Sequence, residues 1–190
     1  MARVLIVGCG CRGRGLTAAL REAGHAVRGT TRDAGRLAPI EAAGAEAVVA
    51  DPDRLGTIMQ QLAGVSVVCW LMGSAAGGGV GELHGARLGT LLERLVDTPV
   101  RGVVYEAAGS VDPRLLADGA AAVAAAAATW RMPAAVVDAD PGDHERWVIA
   151  MKAAVDRLLE QHDGEGERDA REREHDGDHE QHVPGGEAGG

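Results

Sequence analysis

Gly8, Gly10 and Gly13 stand in the spacing Gly-x-Gly-x-x-Gly, directly behind the apolar run Arg3–Val7 and ahead of a helical pattern at Arg12–Ala23. Residues of this type at this spacing can bind a pyrophosphate. Gly8 permits a tight turn out of the strand, Gly10 lets the backbone approach the phosphates, and Gly13 allows the following helix to pack closely with its N-terminal N–H groups facing the negative charge. In a chain of 190 residues with 28 glycines the spacing alone carries little weight. Its placement between a strand and a helix, with a second strand at Ala26–Thr31, makes dinucleotide binding the preferred reading over a glycine turn with no ligand.

The second strand ends Gly29-Thr30-Thr31-Arg32, two hydroxyls and a guanidinium where an NAD site places a carboxylate. Arginine forks onto phosphate, and a carboxylate repels it, so Thr30, Thr31 and Arg32 point to NADP rather than NAD. Arg12, with Cys11 beside it in the glycine loop, would add positive charge near the same phosphate. Asp33, one position late for the acidic role, keeps NAD as the alternative. Further contacts are expected at the carboxyl ends of the later strands. These are Asp51 and Pro52 after the third, with Asp51 accepting from adenine or simply capping the next helix, and Leu71 and Gly73 after the fourth. Ala108 after the fifth would lie beside the nicotinamide, and Trp70, ending the fourth strand, is placed to touch a ligand.

These groups need a scaffold. Short β-branched runs alternate with helical segments up to about residue 160, the pattern of a parallel sheet covered on both faces. Strands are predicted at Arg3–Val7, Ala26–Thr31, Ala47–Ala50, Ser66–Leu71, Arg101–Tyr105 and Ala134–Asp138. Helices are predicted at Arg12–Ala23, Ala34–Ala43, Asp53–Leu62, Glu82–Val96, Pro113–Trp130 and Asp143–Gln161. The expected fold is α/β: a doubly wound, six-stranded parallel sheet of the Rossmann type, order 3-2-1-4-5-6. The stretch Gly73–Gly81 suits a lid over a ligand or a plain connector.

Composition narrows the classes of partner. From Gln161 onward ten acidic residues face three arginines, so this tail holds −7 of the net −9 and the preceding body is close to neutral. The domain is therefore expected to span 1–160 and the tail 161–190, the tail too charged and too poor in apolar residues to order itself. A body with no basic stripe and no phenylalanine offers nothing to nucleic acid. No apolar run approaches a membrane span, Val4–Val7 is too short for a signal-peptide core, and Cys9, Cys11 and Cys69 fit no disulfide framework. A cytoplasmic protein is the expectation. No metal site is expected. His162, His175, His179 and His182 lack ligand geometry in an unstructured tail, and Cys9-x-Cys11 lacks further ligands nearby. Trp130 and Trp147 supply bulk to an alanine-rich core, or mark a helix-pair surface for a homodimer.

Together VLIVGCGCRG, GHAVRGTTRD, GAEAVVADPD and VVYEAAGS resemble an atypical short-chain dehydrogenase/reductase of the epimerase/dehydratase-like or NmrA-like groups, over roughly residues 2–140. The resemblance implies a Rossmann fold with NADP contacts at Gly8, Gly10, Gly13, Arg32 and Asp51. Its catalytic part does not carry over. The family uses a Ser after the fifth strand and Tyr-x-x-x-Lys on the next helix. Here Ala108 takes the place of that Ser, with Ser110 two residues late, Tyr105 lies in a strand, and the only lysine is Lys152. No catalytic residue is assigned.

Two functions fit this inventory. One is a non-catalytic or regulatory NADP(H)-binding protein that passes cofactor state to a protein partner. The other is an NADPH-dependent oxidoreductase acting on a small quinone-, flavin- or carbonyl-type acceptor without a Tyr-Lys relay, with Ser110, Glu106, Asp140 and His144 as polar groups near the nicotinamide. A redox-sensing thiol at Cys9 or Cys11 is a third idea, set against small residues filling a tight loop.

Overall fold

The computed structural model describes the backbone of residues 1–177 and the side chains of residues 1–161. The chain divides into two units, Met1–Leu159 and Glu160–Gly190, and the account below concerns the first. Six parallel strands form one sheet: β1 Arg3–Val7, β2 Ala26–Thr31, β3 Glu46–Val49, β4 Val67–Trp70, β5 Gly102–Glu106 and β6 Ala134–Val137. Their order is β3-β2-β1-β4-β5-β6, the doubly wound arrangement the alternating pattern predicts. The order reverses between β1 and β4, where Ile6 lies opposite Gly29 on one side and Cys69 on the other.

Alternation along each strand splits the core between the two sheet faces. Leu5, Val7, Val68, Trp70, Val103 and Tyr105 point to one face, under helices α3 (Leu55–Met59), α4 (Val80–His84), α5 (Ala86–Leu95) and α6 (Pro113–Trp130). Val4, Ile6, Val27, Val67, Cys69 and Val104 point to the other, where α1 (Cys11–Glu22), α2 (Leu37–Ala42) and α7 (His144–Gly177) lie. Leu16, Leu20, Ile40, Trp147 and Met151 fill that side. Trp147 is thus a core residue. Trp130 is partly exposed.

Several elements differ from expectation for local reasons. The segment Glu82–Val96 is not one helix: it breaks at Gly85, whose φ −117 and ψ −115 turn the chain between α4 and α5. Asp53–Leu62 shrinks to Leu55–Met59, because the Asp51 carboxylate accepts from Asp53 N at 3.0 Å and holds a turn there. Ala34–Ala43 opens as a 3-10 turn, Ala34–Arg36, capped by the Asp33 carboxylate on Gly35 N at 2.8 Å. Helix α6 starts as its sequence dictates, Asp112 accepting from Arg114 N ahead of Pro113. The α7 backbone runs helically past Gln161 to Gly177. Of the tail, residues 178–190, with His179 and His182, lie outside the described residues, as do the side chains of His162 and His175. Among the described residues no helix is long and apolar enough to cross a membrane, and no cluster of His, Cys, Asp and Glu could hold a metal ion.

Candidate functional site

The strand β1 ends in a loop that β2 holds in place. Thr30 O accepts from Cys9 N at 2.9 Å, and Thr30 Oγ1 accepts from Gly8 N at 3.1 Å. Gly8 sits at φ +82, and a Cβ there would come within 2.4 Å of Met72 Cε and 2.8 Å of Leu71 O. The strained conformation and the neighbouring backbone of β4's end both demand glycine. A Cβ on Gly10 would meet nothing closer than 4.0 Å, so the loop presents bare backbone there. Helix α1 begins with no side-chain cap and no acid in its first turn.

A cavity of 580 Å³ opens over this loop at the carboxyl ends of β1 to β4, within the ordinary range of small-molecule sites. Of the predicted site residues it gathers Gly8, Gly10, Cys11, Arg12, Gly13, Thr30, Thr31, Arg32, Pro52 and Leu71. Three predicted contacts stand elsewhere. Asp51 is spent on the turn before α3. Gly73 and Ala108 press on one another: a Cβ on Gly73 would lie 2.1 Å from Ala108 O. Trp70 is also corrected. It is fully buried, its indole N–H donating to Leu83 O at 3.0 Å, and it supports the cavity floor from beneath.

Electrostatics single the cavity out. Arg12, Arg14, Arg32 and Arg36 line it, against one carboxylate, Asp53. Arg32 is 56% exposed and only 3.7 Å from Asp53, which also takes Arg87 at 2.5 Å; Arg36 is 78% exposed and 3.8 Å from Asp33. Exposed pairs this long are worth about 0–1 kcal/mol, so both guanidinium groups can turn to a stronger anion. The acid that kept NAD in play, Asp33, caps the 3-10 turn and is not in the cavity wall. Arg36 was missed in the sequence, though it lies three residues beyond Asp33 and, like Arg32, on the segment leaving β2.

Arg12 reaches the far end of the cavity rather than the β2 end. Its Nη2 donates to Ser74 Oγ at 2.8 Å and to Glu106 Oε1 at 3.3 Å, and its guanidinium carbon lies 5.7 Å from the Trp147 ring centre. Glu106 Oε2 accepts from Gly73 N at 2.8 Å. Burial raises the Glu106 pKa; the Arg12 charge and the Gly73 bond oppose that rise. The Trp147 N–H adds a small lowering, although it meets no acceptor at hydrogen-bonding geometry. Among the described residues Glu106, Ser110, Asp140 and His144 are not assembled into a reactive group. Glu106 is 0% exposed, Ser110 faces solvent, Asp140 accepts from Gly142 N, and His144 lies against Gly15.

No Tyr-Lys relay forms. Tyr105 OH lies 2.6 Å from His84 Nδ1, and His84 Nε2 lies 3.2 Å from Met72 O. A neutral imidazole satisfies both if Nε2–H donates to Met72 O and Tyr105 donates to Nδ1, and burial lowers the His84 pKa as this requires. Burial also raises the Tyr105 pKa. Lys152 Nζ donates to Asp156 at 2.6 Å, within its own helix. Cys9 packs against Gly29 and Thr17, and burial raises its pKa, the opposite of a reactive thiolate; Cys11 is exposed at the cavity wall.

The architecture is that of the doubly wound, Rossmann-type nucleotide-binding domains. No family model matches the chain, and no curated protein matches it. Solved structures match it in fold. Triphenylmethane reductase from Citrobacter sp., solved with NADP(H), is similar at TM-score 0.54 and 19% identity over 72% of this chain and 48% of that one. UDP-glucuronic acid 4-epimerase from Bacillus cereus, solved with NAD, is similar at TM-score 0.57 and 14% identity over 73% and 56%. BdcA from E. coli is similar at TM-score 0.61 and 14% identity over 81% and 93%. The chain thus spans about half the length of the reductase and the epimerase.

Proposed function

We propose that the protein binds NADP(H) in the cavity above the glycine loop and performs no chemistry on it. The observation that carries this reading is the cavity's charge: four arginines and one carboxylate in a wall belonging to a body that is otherwise close to neutral. A ligand with a pyrophosphate and a 2′-phosphate complements that wall. The bare backbone at Gly10 and the uncapped start of α1 suit the pyrophosphate. Arg32 and Arg36 suit the 2′-phosphate, and Asp33, the acid just behind β2, lies outside the cavity wall with one oxygen held by Gly35 N. When bound, the cofactor would supply hydride transfer. The chain's own residues contribute binding and orientation, with Tyr105 and Lys152 both committed to other partners.

Calorimetric titration tests this. NADP⁺ is expected to bind at least tenfold more tightly than NAD⁺, and Arg32→Ala with Arg36→Ala is expected to erase that preference. Equal affinity for the two nucleotides in the unaltered protein overturns the choice of NADP, and no binding of either overturns the whole reading. NADPH oxidation by a panel of quinones, flavins and aldehydes is expected to stay at the protein-free rate.

A further inference from the structure

A doubly wound domain has two mononucleotide halves, β1–β3 for the adenosine side and β4–β6 for the nicotinamide side. The cavity wall comes from the first half and from the end of β4 with the segment after it; among the described residues none of β5, of β6 or of the segments following them lines it. At the second half, backbone lies on backbone. A Cβ on Gly109 would sit 1.8 Å from Gly73 O, and Gly73 O accepts from Val111 N at 3.1 Å. The closure is tied from below and from the side. The buried Glu106 carboxylate holds Gly73 N with one oxygen and Arg12 with the other, and Arg12 also holds Ser74. Opening this seam would strip the Gly73 N–H and the fully buried Glu106 of partners in a dry site.

Granted an NADP-type ligand in the cavity, as proposed above, we infer that the site recognises only its 2′-phosphoadenosine and pyrophosphate half, the nicotinamide ring remaining outside and adding no affinity. The ligand class is then any adenosine 2′-phosphate carrying a 5′-diphosphate. The protein responds to the total NADP(H) pool and not to its redox ratio, because the oxidised and reduced forms differ only in the ring the site leaves out.

The test compares NADP⁺, NADPH and 2′-phospho-ADP-ribose, which is NADP⁺ without its nicotinamide, on the unaltered full chain. The three dissociation constants are expected to agree within threefold. The emission of the reduced nicotinamide is expected to keep its free-solution maximum when NADPH saturates the protein. A dinucleotide bound more than threefold tighter than the truncated ligand, or a blue-shifted NADPH emission, overturns the inference and leaves NADP(H) binding intact. Binding of none of the three overturns both.

Discussion

The two halves of the sheet share a topology and differ in how they end. On the β1–β3 side the loop after β1 is bare, pinned from β2 by Thr30, and opens into a cavity with arginines at its rim. On the β4–β6 side the strand ends fold onto each other through Gly73 and Gly109, over a buried carboxylate and a buried Tyr-His pair. Both sides use glycine, for opposite purposes. Gly10 leaves out a side chain so that bare backbone faces the cavity; Gly73 and Gly109 leave theirs out so that backbone can meet backbone, as Gly8 does against Leu71. A glycine-rich strand end therefore does not by itself mark a binding surface.

Substitutions should separate the two sides by what they cost. The largest effect is expected from Gly8→Val, which combines a left-handed backbone with a clash against Leu71 O. Nucleotide affinity should fall on the order of 100-fold, about 2.8 kcal/mol, in a calorimetric titration; retained affinity would show that the open side does not need its bare loop.

Next comes Tyr105→Phe on the closed side, which leaves the buried Nδ1 of His84 without its partner while Nε2 keeps Met72 O. It should lower unfolding free energy by about 1–3 kcal/mol in denaturant melts, with NADP⁺ affinity unchanged. The pH dependence follows the same pair. His84 titrates lower in the folded state than its ordinary value of 6.5, so below that value the unfolded chain binds the proton first and stability falls as pH falls. His25, lowered mainly by burial, works in the same direction. Glu106, raised by burial above 4.5, works in the opposite one at lower pH. Denaturant melts from pH 7.5 to 5.5 should show the loss, and a flat profile would contradict a neutral buried His84.

The smallest effect is expected from Asp33→Ala, which removes the cap on Gly35 N and costs about 0.5–1 kcal/mol of stability. NADP⁺ affinity should move less than twofold; a large loss would place that carboxylate in the ligand site after all.

The open side was legible in the sequence because its signals are local. Five consecutive residues write β1, the glycines follow at fixed spacing, and Arg32 stands directly behind β2. The closed side depends on contacts that no local pattern encodes. Arg12 and Glu106 are 94 residues apart, and Gly73 meets Gly109 across a whole helical crossover. Trp70 was misplaced because a strand's end does not reveal which face its last side chain takes. The break at Gly85 hid inside ELHGARLGTLLERL, whose apolar spacing reads through as one helix, yet that break sets His84 beneath the cavity floor.

Thr30 has a kinetic consequence. Its hydroxyl and carbonyl already fix Gly8 and Cys9, so the loop has little freedom left to surrender to the proposed ligand. For the nucleotide binding proposed above, capture would then be governed by encounter with the arginine rim, and association would slow with added salt while the loop adds no waiting time of its own.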